Sequence, residues 1–307
     1  MAATAGAVAF SGKAIVAKLM YRLGADAVST VGLRMAYALP LFALLAWWTS
    51  RSEEARQAPL TREDALWVAG LGFFGYYLAS TLDFLGLQYI SAGLERAILY
   101  LNPTLVLLMS ALWLGHRLRW QALVAMAVAY GGVCIVFFHD LAQLTHVGQS
   151  PASAMSWRDV WLGGSLVFGS ALSYALYLMG SGRLVQRLGS LRLVSHASCV
   201  ACVLCMLQWA VVHTATEGRV GALAHLPWQA HALSMLNAVV CTLLPIWWVM
   251  QGVRLLGASM ASQVGMIGPL STLYMASVWL QEPITPELLG GTVVILAGVV
   301  LLARVKD

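Results

Sequence analysis

The sequence predicts an all-α integral membrane protein with ten transmembrane helices, arranged as two inverted five-helix repeats. Three observations support this prediction. The chain of 307 residues is 60% hydrophobic and only 10% charged, whereas a soluble protein carries about 25% charged residues. Ten apolar segments are long enough to cross a bilayer, which takes about 20 helical residues. At one constant offset, proline, tryptophan and glycine residues of the first half of the chain also align with the same residue types in the second half.

Helix is expected in each apolar segment because lipid offers no hydrogen-bond partner to an open backbone. The segments are 4–20, 28–49, 66–87, 93–114, 120–138, 159–180, 190–213, 230–251, 257–280 and 286–303. We expect the first to be a span rather than a signal peptide, since Lys13 and Lys18 interrupt the apolar core and cleavage site that such a peptide needs. The first repeat is predicted over residues 1–140, a connecting loop over 141–156 and the second repeat over 157–307.

The distribution of Lys and Arg predicts the orientation of these spans, because cytoplasmic loops carry an excess of both residues. With the N-terminus inside, the inner segments hold eleven Lys and Arg residues. The outer segments then hold only four, which are Arg22, Arg96, Arg158 and Arg219. Both termini are therefore predicted to be cytoplasmic.

An internal repeat relates the two halves at a constant offset of 166 residues, the difference between positions 269 and 103. This offset aligns, among others, Pro103 with Pro269, Trp113 with Trp279 and Gly132 with Gly298. Since five spans per half is an odd number, the second half enters the membrane inverted, as in many secondary transporters. Matching proline kinks in two halves indicate a binding site, although tolerated kinks of purely structural origin are an equal alternative.

Three stretches carry a family resemblance. They are FSGKAIVAKLMYRLGADAVSTVGLRMAYALP (residues 10–40), LASTLDFLGLQYISAGLERAILYLNPTLVLLMSALWLG (78–115) and GASMASQVGMIGPLSTLYMASVWLQEPIT (257–285). In these stretches the chain resembles the EamA family of the drug/metabolite transporter (DMT) superfamily. The resemblance implies a ten-helix transporter whose fifth and tenth helices are peripheral, and many such proteins export amino acids or other small metabolites. The family often ends its fourth helix with Gly-Glu, where this chain has Gly115-His116, while the second half keeps Glu282.

Three ionisable residues lie deepest in the predicted spans: Lys13, Arg34 and Asp83. A charged group at the centre of a bilayer costs about 2.5–3.5 kcal/mol on insertion scales and usually faces a partner or a cavity. We expect Asp83 to pair with Arg34 or Lys13 across helices. The pair is either static and fixes packing, or functional, with Asp83 as the proton-coupling group.

Further polar residues are candidates for the substrate site. Glu95 and Arg96 begin the fourth span, where Glu95 suits the helix dipole and both could form a gate. Uncharged polar groups within spans could bind an amine and a carboxylate, or simply bond a neighbouring helix; these are Asn102, Asn237 and Gln263. Tyr76 could line a cavity, although an interfacial position is the commoner fate of an aromatic residue.

No cofactor or metal is expected. Gly70–Gly75 matches the dinucleotide fingerprint in letters, but it lies in an apolar span without a βαβ unit. Cys199, Cys202 and Cys205 do not converge on one face of a helix, since Cys205 is turned by about 120° from Cys199 at 100° per residue. A membrane-embedded enzyme is not expected either, because no catalytic constellation is visible.

The sequence therefore predicts a secondary transporter of an amino-acid-like or other polar solute, with proton-coupled export by alternating access. The alternatives are a flippase of a lipid or lipid-linked carrier and an accessory subunit that transports nothing. The expected partners are a small-molecule substrate, protons and the lipid bilayer; a homodimer is left open, and nucleic acid is not expected. The predicted location is the bacterial inner membrane.

Overall fold

The computed structural model describes residues 2–114, 119–146, 156–217, 226–248 and 267–304, and these residues are helical and contain no strand. The long helices, in chain order, are α1 Ala2–Arg22, α2 Ala27–Ser50, α3 Arg62–Leu87, α4 Ala92–Trp113, α5 Trp120–His146, α6 Trp157–Leu188, α7 Ser190–Glu217, α8 Trp228–Trp248, α9 Gly268–Met275 with its continuation Ala276–Leu280, and α10 Pro286–Arg304. A short helix, Glu53–Gln57, lies between α2 and α3.

Eight of the described helices, all except α1 and α9, are long and apolar enough to cross a membrane. The prediction of an all-α integral membrane protein is therefore confirmed in its general form. The predicted first span is the helix α1, and the predicted ninth span lies partly outside the described residues. Helix α5 extends to His146 and α6 to Leu188, both beyond their predicted ends.

Several helices are capped at their N-terminus by polar side chains from the predicted loops. Asp26 accepts a hydrogen bond from the backbone of Ser29 at the start of α2. Thr61 and Asp64 form a reciprocal capping box at α3, and Ser91 accepts from the Leu94 N–H at α4. Each cap satisfies amide groups that have no partner within the helix, and so fixes the residue at which the span begins.

Helices α5 and α10 pack against each other along glycines. A methyl group on Gly298 would lie 2.6 Å from the backbone nitrogen of Ala129, and one on Gly132 would lie 2.8 Å from the carbonyl oxygen of Gly291. Small residues let membrane helices approach this closely, and the backbone contact replaces side-chain packing. A cavity lies among α1–α4 and α6–α8, and none of its described lining residues belongs to α5 or α10.

Polar contacts at the two ends of the bundle bring loops together. At one end, the Asp64 end, Arg187 pairs with Asp64 at 2.7 Å and Arg192 donates to the carbonyl of Ala58 at 2.7 Å. At the other, the Glu282 end, Lys18 pairs with Glu282 at 3.1 Å. Segments that the Lys and Arg distribution predicts to be cytoplasmic thus meet at the Asp64 end.

Three of the described helices contain a π-helical turn. The turn covers Phe73–Leu78 in α3, Val239–Leu243 in α8 and Ala276–Leu280 at the end of α9. The hydroxyl of Ser173 on α6 donates to the Phe74 carbonyl at 2.7 Å within the first turn. A π-helical turn accommodates an extra residue in a helix and occurs frequently at functional sites. The turns of α3 and α8 carry residues of the cavity wall.

Candidate functional site

A cavity of about 380 Å³ lies at the centre of the helix bundle. Its wall is built from α1, α2, α3, α4, α6, α7 and α8 and mixes charged, aromatic and aliphatic groups. Seven of the residues singled out from the sequence line it: Lys13, Arg34, Tyr76, Asp83, Arg96, Asn102 and Pro103. A buried cavity with a few polar groups in an apolar wall is the usual form of a small-molecule site.

The closest charged contact at the site joins Lys13 on α1 to Asp83 on α3. The Lys13 ammonium donates to an Asp83 carboxylate oxygen at 2.5 Å, and the two residues are 8% and 1% exposed. The other carboxylate oxygen of Asp83 accepts no hydrogen bond from the described residues. Of the two partners expected for Asp83, the structure places Lys13 in contact.

Arg34 on α2 lies on the same wall without a carboxylate partner among the described residues. Its guanidinium donates to the Ser80 hydroxyl at 3.0 Å and lies over the ring of Phe84, with 4.7 Å from Cζ to the ring centroid. The Lys13 ammonium lies 5.5 Å from the centroid of that ring. Phe84 therefore interacts with both cations through its π face.

Glu95 and Arg96, near the start of α4, are also buried. Glu95 is 0% exposed, and neither of its carboxylate oxygens accepts a hydrogen bond from the described residues. Arg96 Nε lies 3.7 Å from Glu95 Oε2, and an Arg96 guanidinium nitrogen donates to the Phe10 carbonyl at 3.5 Å. Arg96 faces the cavity, whereas Glu95 lies behind it within electrostatic reach of Asp83.

The regular helix of α4 is interrupted where the sequence predicts a kink. Its first part ends at Leu99, and its second part begins at Asn102, directly before Pro103. Proline lacks an N–H and clashes with the preceding turn, so the series of backbone hydrogen bonds along the helix is interrupted at this point. The Asn102 side-chain oxygen is buried, lines the cavity and has no hydrogen-bond partner among the described residues.

Tyrosines form one side of the cavity. The hydroxyl of Tyr76 on α3 donates to that of Tyr177 on α6 at 3.1 Å, and the ring of Tyr174 stacks on Tyr177 at 5.4 Å between centroids. Tyr76 and Tyr174 line the wall. Buried tyrosines combine a large apolar surface with a polar group, which suits contact with an amphipathic molecule.

Besides Glu95, the candidates Asn237 and Pro269 are described but do not line the cavity. Asn237 is fully buried on α8, where its amide donates to the Lys13 carbonyl at 3.4 Å. Pro269 is at the start of α9, and Ser11 donates to the carbonyl of the preceding Gly268 at 2.9 Å. Gln263 lies outside the described residues. Asn237 thus connects α8 to α1, and Pro269 begins α9, next to the site.

Sequence reasoning missed Ser80 and Phe84. Ser80 is one helical turn from Asp83 and one turn from Tyr76, so the spacing of 4 and 3 residues places the three on one face of α3. That pattern could have identified Ser80. Phe84 had no comparable signal, because an aromatic residue in an apolar span is ordinary.

The comparisons with known proteins agree with this architecture. The family model described as the EamA-like transporter family matches residues 1–138 and 161–304. A protein named "Uncharacterized transporter YcbK" from Bacillus subtilis is 28% identical over 90% of this chain and 83% of its own length. A "Probable terminal-alkyne amino-acid exporter" from Streptantibioticus cattleyicolor is 25% identical over 92% of this chain and 87% of its own.

A solved structure, described only as the crystal structure of a protein, has the same fold. It superposes with a TM-score of 0.56 and 18% identity, covering 98% of this chain and 94% of that one. The family model covers most of the chain in two stretches, and the described helices supply the membrane spans. The chain belongs to the EamA-like transporter family, and it is an integral membrane transporter rather than an enzyme.

Proposed function

We propose that this protein is a secondary transporter that exports a small amino-acid-like solute by alternating access, coupled to protons. The observation that carries the proposal is the central cavity, in which Lys13, Asp83, Arg34 and Arg96 are held inside an apolar helix bundle. Charged groups are expensive in a membrane and are kept where they contact a substrate or an ion pathway.

Alternating access requires two halves that can move against each other, and we propose the ten-helix inverted repeat for this purpose. Two of the three described π-helical turns support it, since Phe73 and Val239 begin them at an offset of 166 residues, the offset that aligns Pro103 with Pro269. The pairing of α5 with α10 and of α2 with α7, two of the three most extensive helix contacts in the described residues, also joins corresponding helices of the two halves.

An amino-acid-like substrate suits the chemistry of the wall. The described wall combines three cations and the Asp83 carboxylate with tyrosine rings and aliphatic side chains. A zwitterion with an apolar side chain matches both parts. The relative from Streptantibioticus cattleyicolor is named as an amino-acid exporter, which supports this substrate class and the outward direction.

Proton coupling is assigned to Asp83 and the Lys13 ammonium that contacts it. The groups that act on Asp83 are Lys13 and Tyr21 on α1, Arg34 on α2 and Glu95 on α4. A proton on Asp83 neutralises the carboxylate and frees Lys13 from the ion pair. The helices α1 and α3 would then lose their strongest polar contact, and the halves could rearrange.

The remaining parts of the proposal concern location. We place the protein in a bacterial inner membrane with both termini in the cytoplasm. The support is the excess of Lys and Arg in segments that meet at the Asp64 end, which would face the cytoplasm. The outer face would then be the Glu282 end.

The test is transport in proteoliposomes containing purified protein. We would measure uptake of L-leucine and L-propargylglycine with and without a proton gradient, and counterflow of the same solutes without one. Asp83→Asn is expected to abolish gradient-driven accumulation and to leave counterflow intact. Asp159→Asn is the matched control, because Asp159 only caps α6.

Two results would contradict the proposal. Equal loss of accumulation and counterflow in a well-folded Asp83→Asn variant would remove the coupling role. Movement of labelled phospholipid headgroups without flux of any water-soluble solute would favour a flippase, and no movement of either would favour an accessory subunit.

A further inference from the structure

Arg34 has no carboxylate partner within ion-pair distance among the described residues. It is 3% exposed, faces the cavity from α2 and, within the described part of the chain, donates one hydrogen bond, to Ser80 at 3.0 Å. Its Nε is buried and has no hydrogen-bond partner among the described residues. A guanidinium has five N–H donors, so Arg34 keeps donors that have no partner among the described residues.

The other charges of the site are used in pairs. Lys13 contacts Asp83 at 2.5 Å, and Arg96 lies 3.7 Å from Glu95. Three cations thus face two carboxylates, and one positive charge, that of Arg34, remains in the described site. An unpaired buried charge is strongly unfavourable, whereas a bound anion would remove the penalty.

We propose that Arg34 and Ser80 form the subsite that binds the carboxylate of the transported solute. This inference rests on the proposed transport function. The planar guanidinium can bind a carboxylate through two parallel hydrogen bonds. Since the Ser80 oxygen accepts from Arg34, its own hydroxyl proton is free to donate to the same carboxylate.

The surroundings of this subsite define the rest of the ligand. Met35 and Phe42 on α2, Ala79 on α3 and Ile246 on α8 belong to the same wall. These side chains offer no hydrogen bond, so they select an apolar group attached to the carboxylate. The volume of about 380 Å³ is at the lower end of the range for small-molecule sites, which suits a compact carboxylate with an aliphatic or aromatic side chain.

A carboxylate subsite differs from recognition of a general zwitterion. It requires the solute's carboxylate in every case, and it tolerates loss of the amine. The probes are therefore L-leucine with L-leucinamide, and 4-methylpentanoate with 4-methylpentanamide. In each pair only the carboxylate changes, and the second pair carries no amine.

Binding is measured by thermal shift in detergent, and flux by inhibition of solute uptake in proteoliposomes. We expect the two carboxylates to bind wild-type protein at least tenfold more tightly than their amides. Arg34→Gln is expected to abolish this preference. Arg34→Lys, which keeps the charge but not the planar fork, should reduce it to an intermediate value, and Ser80→Ala should reduce it less.

Arg51→Gln is the matched control. Arg51 is an exposed arginine just after α2 that lies over the Trp47 ring, and its loss should leave the carboxylate preference unchanged. Ser80→Ala provides a second measurement if Arg34→Gln does not fold. A monodisperse elution profile in detergent defines a folded variant.

The outcomes separate the subsite from the transport function. If wild-type protein transports solutes but binds amides as tightly as carboxylates, or if Arg34→Gln and Ser80→Ala both retain the full preference, the subsite is overturned and transport stands. If neither the probes nor any amino acid binds or crosses the membrane, the proposed function fails, and the subsite fails with it.

Discussion

Replacing Lys13 with methionine removes the cation that neutralises Asp83. The two charged groups are 2.5 Å apart, and Asp83 is 1% exposed, so water cannot replace the lost partner. Removing one member of a buried ion pair costs about 3–5 kcal/mol, while replacing both with apolar groups is often neutral. Since a loss of 1 kcal/mol lowers the Tm of a protein of this size by about 2 °C, Lys13→Met should lower Tm by roughly 6–10 °C.

The assay is thermal unfolding of detergent-purified wild type, Lys13→Met, Asp83→Leu and the double variant. The double variant is expected within about 2 °C of wild type, because no charge is left without a partner. If the losses of the two single variants add up in the double variant, the residues do not act as a pair.

Three further predictions follow from the packing, the caps and the proposed orientation. Gly298→Ala should lower Tm by about 2–6 °C, because its methyl group overlaps the facing backbone. Gly290 has open space around it, so Gly290→Ala should leave Tm unchanged. Equal Tm values for the two variants would refute glycine-mediated packing. Thr61→Ala should destabilise by about 1 kcal/mol through loss of the α3 cap, and an unchanged Tm would contradict this. A membrane-impermeant maleimide applied to whole cells should label Arg158→Cys but not Arg56→Cys; the reverse pattern would invert the orientation.

Much of the fold could be predicted because membrane helices obey simple rules. Apolar runs between charged or proline-rich segments gave the spans, since lipid leaves the backbone no alternative to helix. The ionisable residues indicated the candidate site for a related reason, because Lys13 and Asp83 are unfavourable in lipid and pair where the helices meet. Because the spans are almost entirely apolar, the few ionisable residues within them were informative.

The rest of the site depends on which face of each helix points inward, and the sequence contains little of that information. Nearly every face of α2 is apolar, so periodicity does not distinguish Phe42 in the cavity wall from Leu44, which is 62% exposed. Asn102 and Asn237 are equivalent by composition, yet only Asn102 reaches the wall. The contribution of Phe84 depends on three helices meeting at one ring, which no local pattern encodes.

The π-helical turns have a mechanical consequence. Each holds one more residue than an α-helical turn of the same length would, and the extra residue can be accommodated elsewhere in the helix by exchanging hydrogen bonds one at a time. Such a shift moves only the residues between the old and the new position of the turn, by about 1.5 Å along the axis and about 100° around it. Helices α3 and α8 can therefore reorient the side chains at the cavity while their ends stay fixed against neighbouring helices.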